Sequence, residues 1–150
     1  GETILEPCCG NGAVSKVIES AGYKVISRDL YDWGYGEPGR DFIVDPIESV
    51  NGIITNPPFN LSMEFTKRAL ECVKEKAGKV AILNRIQWLE GQKRKQMFCS
   101  FPLSKVWIFS KRLPRFHRFD FTGKPGTSLL GFAWFVFDWT HFSEPELGWF

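Results

Sequence analysis

The sequence has no apolar run approaching the ~18 residues that a membrane-spanning helix needs. Nor does it open with a basic flank followed by an apolar stretch, so no secretory signal is expected. It carries only two histidines, His117 and His141, and neither lies near its four cysteines in sequence. Cys8 and Cys9 are adjacent, Cys72 and Cys99 stand alone, and no Cys-x-x-Cys pair occurs. That spacing gives no basis for a metal centre, and the thiols read as the reduced cysteines of a cytoplasmic protein. A net charge of only +2 supplies no global field for nucleic acid, so any such attraction must come from a local patch. Repeats, low-complexity tracts and linkers are also missing.

What remains is 150 residues of ordinary globular composition with many rings, 14 Phe and 6 Trp. That length suits one domain around one core. Strand-like and helix-like patterns alternate along it. Thr3–Pro7 (TILEP), Tyr23–Ser27, Asp41–Val44 (DFIV), Gly52–Thr55, Lys79–Leu83, Lys105–Phe109 and Leu129–Trp139 read as seven strands. NGAVSKVIESAG reads as a helix with Val14, Val17 and Ile18 on one face. SMEFTKRALECVKEKAG turns Phe65, Ala69 and Val73 inward and stops at Gly78, and EGQKRKQMFC is a basic helix. The expectation is an α/β fold: a Rossmann-like, mostly parallel seven-stranded sheet with helices on both faces. No helix separates the last two strands, so the final one is expected to run antiparallel. Ligands of such sheets sit beyond the carboxyl ends of the strands.

LEPCCGNGAVS places Glu6, Gly10 and Gly12 between the first strand and the first helix. The glycines allow a tight turn and close approach of backbone to a ligand. A dinucleotide fingerprint needs a further glycine where this chain has Ser15, which disfavours a nicotinamide cofactor. An acid at the strand end suits an amine-bearing ligand better than a pyrophosphate. Asp29, at the end of the second strand, is placed to hold two ribose hydroxyls. Asp41 can accept from an adenine amino group, and Phe42 can pack on its ring or lie in the core.

IITNPPFN runs a buried strand into two prolines and an aromatic ring. Prolines lack the N–H and fix φ, so they end a sheet ladder abruptly. Two of them, between an amide and a ring, form a stiff shelf. Together these stretches resemble the S-adenosylmethionine-dependent methyltransferases of the seven-stranded class. EPCCGNG resembles their first motif, Asp29 their second and DF their third. NPPF resembles the amino-methyltransferase motif best known in DNA adenine-N6 methyltransferases. LNRIQWLEG, KVWIFSKRLPRF and LLGFAWFVFDW are similar to stretches of small phage- and prophage-type DNA methylases. The resemblance covers nearly the whole chain, as a single catalytic domain over residues 1–150. The family's leading segment, with its Thr-Pro-type motif, and a target-recognition domain are both expected to be absent.

The resemblance implies S-adenosylmethionine as cofactor, held by Glu6, Pro7, Cys8, Gly10, Gly12, Asp29, Leu30, Asp41, Phe42 and Asn56. It implies catalysis by Asn56, Pro57, Pro58 and Phe59 on the N6 amino group of adenine in DNA. That amino group is a poor nucleophile, because its lone pair is delocalised into the ring. The Asn56 side-chain carbonyl and the Pro57 backbone carbonyl can accept its two hydrogens and localise the pair. Phe59 would stack on the target ring. SKRLPRFHRFDFTGKPG brings Lys111, Arg112, Arg115, Arg118 and Lys124 among phenylalanines, a composition suited to phosphates and displaced bases. It also suits a solvated loop. Arg85 and Trp88 could line the substrate side, or Trp88 could sit in the core. Three readings stay open: a DNA adenine methyltransferase, an amino-methyltransferase of ribosomal RNA guanine or protein glutamine, and a non-catalytic nucleic-acid-binding protein on the same scaffold.

Overall fold

The computed structural model describes residues 1–114, 123–124, 126 and 128–150. Its elements are β1 (Thr3–Glu6), α1 (Ala13–Ser20), β2 (Lys24–Ser27), β3 (Gly52–Thr55), α2 (Ser62–Val73), β4 (Lys79–Arg85), α3 (Gln92–Ser100), β5 (Leu103–Ile108), β6 (Phe132–Asp138) and β7 (Glu146–Trp149). Short 3-10 turns cover Phe59–Leu61, Lys74–Lys76 and Ile86–Leu89. The strands form a 7-stranded sheet in the order β2-β1-β3-β4-β6-β5-β7. β1 pairs in parallel with β2 and β3, and β3 in parallel with β4. β6 lies antiparallel between β4 and β5, which is the orientation expected for a strand reached by a loop.

The core joins Leu5, Ile53, Val80, Ile82, Phe135 and Phe137 of the sheet to Ala69, Leu70 and Val73 of α2 and Met97 of α3. Phe65, Ala69 and Val73 are all buried, as the helical spacing of that segment requires. The chain turns out of this segment at Ala77, which takes a left-handed φ of 49° before Gly78. Gly78 is needed for a different reason: a Cβ there would collide with the Asn51 carbonyl.

Three local expectations differ. Asp41–Val44 is not a strand but a turn. Asp41 Oδ1 accepts from Ile43 N–H (2.9 Å), Asp45 Oδ2 accepts from Asp41 N–H (2.9 Å), and Asp45 N–H bonds the Asp41 carbonyl (2.9 Å). Those bonds satisfy locally the groups that a ladder would have used. On α1, Val17 is 66% exposed and Ser15 is the residue turned fully inward. The helix is rotated by the bond that Ser15 donates to Glu6. Finally, β7 was not expected. It pairs in parallel with β5, and Gly148 lets it lie on the Trp107 ring, where a Cβ would not fit.

The connection from β2 to β3 contains no regular helix, and a buried arginine braces it. Arg28, 8% exposed, bonds both carboxylate oxygens of Glu48 and donates through Nε to Glu37 (3.0 Å). The bond to Arg28 holds the Glu48 carboxyl below its usual range. Glu37 and Glu48 are half exposed, which weakens the pairs by solvent screening. Arg28→Met keeps the apolar stem and should cost about 1–3 kcal/mol in urea unfolding at neutral pH. An unchanged midpoint would remove Arg28 as the brace.

Candidate active site

A cavity of about 750 Å3 opens at the carboxyl ends of β1, β2 and β3. Four segments wall it: Glu6–Asn11 with Ala13 and Val14, the Asp29–Tyr31 stretch with Trp33, Arg40–Val44, and Asn56–Phe59 with Leu61 and Phe65. All the residues expected at the cofactor except Gly12 line it. Gly12 stands behind the wall: its φ of 79° caps α1, and a Cβ would come within 2.6 Å of the Tyr35 ring. Gly10 has φ 51°, so both turn positions take backbone that side-chain-bearing residues avoid.

Asp29 ties the walls together. It is 8% exposed and its carboxylate accepts three N–H groups. Gly10 N–H bonds Oδ2 (3.0 Å), while Tyr31 N–H (3.0 Å) and Trp33 Nε1–H (3.2 Å) bond Oδ1. A carboxylate offers about four acceptor positions, so a ligand diol that takes two must displace one of these donors. Of the three, only the Trp33 indole is a side-chain donor; the other two are backbone amides of the turns.

Glu6 is 1% exposed and accepts from the Ser15 hydroxyl. Ser15 Oγ also lies 2.7 Å from Ser27 Oγ, which links β1, α1 and β2. Burial pushes the Glu6 carboxyl up to about 7. Ser15 opposes that shift, and the nearby negative charge of Asp29 adds to it. Ser15 is thus the residue that sequence reasoning missed: it stands where a dinucleotide fold would have glycine, and it holds the acid instead. Burial likewise pushes the Cys8 thiol up to about 12 and the Cys9 thiol up to about 11. Both are held in the thiol form, the unreactive one. Among the described residues no group of three or more metal-ligating side chains is found.

The NPPF shelf borders the same cavity. Asn56 is half-buried, Pro57 buried and Pro58 exposed. The Pro58 carbonyl is taken by Leu61 N–H (2.9 Å) and faces Ser62 Oγ at 3.4 Å. Among the described residues no protein donor engages the Asn56 side chain or the Pro57 carbonyl, so two acceptors stand open at the cavity edge. Phe59 packs on Phe132 (5.9 Å between ring centres), and the Arg85 guanidinium covers it at 4.7 Å. Phe42 is both core and wall, 5% exposed and packed on Phe65 at 5.0 Å. Asp41 lines the cavity, but its carboxylate also closes its own turn.

Trp88 is a core residue, 7% exposed and set edge-on against Phe98 (5.2 Å) and Phe135 (4.9 Å). It does not line the substrate side, because its ring completes the contact between α3 and β6. Lys111, Arg112 and Lys124 are exposed and outside the cavity wall. Arg115 and Arg118 lie outside the described residues. The cavity adds Tyr31, Trp33, Arg40, Ile43, Val44 and Leu61, among others, to the site residues the sequence had singled out. A signal for the first two was present, since DLYDWG sets two rings directly after the acid.

No protein-family profile matches the chain, and no curated protein matches it in sequence. Solved structures do match its shape. A proposed class I S-adenosylmethionine-dependent methyltransferase from Listeria monocytogenes superposes with a TM-score of 0.68 at 12% identity, over 99% of this chain and 58% of its own. The methyltransferase subunit of a type I restriction-modification system from Streptococcus thermophilus gives 0.67 at 12% identity, over 92% of this chain and 40% of its own. Magnesium protoporphyrin IX methyltransferase from Synechocystis, with bound S-adenosylmethionine, gives 0.60 at 10% identity, over 92% and 70%. The chain therefore spans only about half the length of the first two. At such identities the likeness is one of architecture, and it places the chain's seven-stranded sheet in the S-adenosylmethionine-dependent methyltransferase fold.

Proposed function

We propose that the chain binds S-adenosylmethionine in the Asp29 cavity and transfers a methyl group to the N6 amino group of adenine in DNA. The observation that carries this reading is the pair of unengaged acceptors, Asn56 and Pro57, at the rim of a cavity walled by a glycine turn and two buried acids. The donor set fits the cofactor in chemistry. Glu6 is a buried acid suited to an amine, Asp29 is an acceptor suited to a diol, and Phe42 with Leu30 and Ile43 makes an apolar bed for a base. The restriction-modification subunit among the structural neighbours supports DNA as the substrate.

The chemistry that S-adenosylmethionine brings is an electrophilic methyl on a sulfonium. The protein's part is to make the amino group nucleophilic and to aim it. Asn56 and Pro57 each accept one amino hydrogen and draw the nitrogen toward a pyramidal geometry. Pro57 has its own φ fixed by its ring, and Asn56, which precedes a proline, is confined to extended backbone, so little backbone reorganisation is needed during the reaction. Phe59 supplies the stacking face, and no protein base is required. The proton leaves to solvent once methylation has made the nitrogen acidic. In duplex DNA the base must first leave the stack, at a cost of a few kcal/mol. The whole described chain acts here as one catalytic unit.

The reading is tested by transfer of labelled methyl from S-adenosylmethionine to unmethylated DNA, followed by nucleoside analysis. N6-methyladenine is the expected product, and label confined to RNA or protein would move the substrate class. Asn56→Ala should lower transfer by a factor of about 100 or more while leaving cofactor affinity within about twofold. Full activity in that variant would rule out the shelf.

A second test uses Glu6, which faces Ser15, Cys8, Cys9 and the carboxylate of Asp29. A cationic amine bound beside it favours its charged form, so binding expels the proton that Glu6 holds below about pH 7. Affinity for S-adenosylmethionine should rise about fivefold from pH 6 to pH 7, and Glu6→Gln should flatten that profile. A pH-independent affinity in the wild-type chain would take the amine away from Glu6.

A further inference from the structure

Phe59 meets two groups. It packs on the buried Phe132, tilted by 36° at 5.9 Å. Over the ring lies the Arg85 guanidinium, with its central carbon 4.7 Å from the ring centre. That gap holds one flat group and not two, because a ring sandwiched between two plates needs roughly 7 Å between them. The guanidinium therefore occupies the place where a substrate ring would stack.

Arg85 has the build of a movable group on a fixed stem. It ends β4 in register with Phe132, its own N–H donates to Asn84 Oδ1 (2.8 Å), and the next N–H, of Ile86, donates to the Gly131 carbonyl (3.0 Å). The backbone is thus held on both sides of the residue. The side chain is exposed, and none of the ion pairs among the described residues includes it. A second guanidinium stands beside the same strand end: a Cβ added at Gly131 would meet Arg112 at 3.2 Å.

We propose that Arg85 plugs the stacking face of Phe59 and yields it to a ring that arrives on a phosphate-bearing chain. This rests on the function proposed above and adds how the site selects its substrate class. An exposed cation over a ring is a weak contact, and a base stacked on an aromatic side chain is a stronger one. A base can therefore take the slot. The displaced guanidinium then gains a partner only if a phosphate lies within reach, where its planar fork is well matched. A strand of nucleic acid brings ring and phosphate together. A neutral nucleoside, or an amide on a neutral peptide, removes the plug and offers it nothing in exchange. Arg85 acts here as a specificity-determining residue and does not take part in methyl transfer.

The account predicts opposite effects of one substitution on two probes. The wild-type chain and Arg85→Ala, both saturated with S-adenosylhomocysteine so that the Asp29 cavity is filled, are titrated with adenosine by calorimetry. The same pair is titrated with a single-stranded deoxyadenylate of about six nucleotides by fluorescence anisotropy. Loss of the plug should tighten adenosine about two- to fivefold. Loss of the phosphate partner should weaken the oligonucleotide about five- to twentyfold. Arg85→Gln replaces the alanine variant should that one fail to fold. An ordinary phosphate-binding arginine would leave adenosine unchanged, and a merely structural one would weaken both probes; either result overturns the plug. Those results also leave the methyltransferase reading standing, since the wild-type chain still binds both. A wild-type chain that binds neither probe, with cofactor or without, overturns the plug and the proposed function together.

Discussion

The structure of the candidate site depends on one carboxylate. Asp29 receives N–H groups from the turn after β1 and from two positions of the loop after β2. Without it, the Gly10 amide would face an apolar cavity unpaired, at a cost of about 1–3 kcal/mol. The left-handed turn at Gly10 and Gly12 aims that amide at β2, and parallel pairing of β1 with β2 sets the distance. The same bonds hold Asp29 nearly out of solvent, where its charge adds to the effect of burial on Glu6. One group thereby fixes the loop geometry, shapes the cavity and helps keep a second acid protonated near neutral pH.

Around that knot the segments are held in different ways. The NPPF shelf is stiff because two prolines fix its φ angles and because the Pro58 carbonyl is spent on the turn that follows. The acceptors left over are the Asn56 amide and the Pro57 carbonyl. The loop opposite has no regular structure, and it keeps its course through Arg28, Glu37 and Glu48 and through backbone bonds from Glu37 to Ser27 (2.9 Å) and from Arg40 to Asp29 (3.0 Å). Its outward residues, Tyr31 and Trp33, are exposed rings at the mouth of the cavity. A stiff acceptor pair facing an exposed aromatic rim suits a reaction in which one partner must be aimed and the other enclosed.

Much of this was legible before any coordinates. The strands of the sheet's centre announce themselves as short apolar runs closed by glycine or proline, and Gly10, Gly12, Asp29 and Asn56 follow from position at their ends. The misread segments share a cause. Phe42, Ile43 and Val44 look like a strand, but Asp41 and Asp45 close a local hydrogen-bonded turn that hydrophobicity does not register. Val17 has the helical spacing of a core residue, yet a polar pair, Ser15 and Glu6, sets the rotation of α1. β7, with a glutamate and a glycine among its four residues, has no apolar run to announce it, and it needs the Trp107 surface to lie on. Trp88 could be placed only once α3 and β6 had met around it. Arg28, Ser15 and the Trp33 bond to Asp29 are tertiary facts about polar groups, and no pattern of apolar residues encodes them.

The central claim is that the knot at Asp29 is the seat of a ribose-bearing cofactor, and its donors report occupancy directly. The measurement is an amide and indole N–H shift map of isotope-labelled protein during titration with S-adenosylhomocysteine. The account predicts the largest shifts at the Gly10 amide, the Tyr31 amide and the Trp33 indole N–H, as a diol takes acceptor positions on Asp29. A saturable titration that leaves those three resonances in place, or no titration at all, would contradict it.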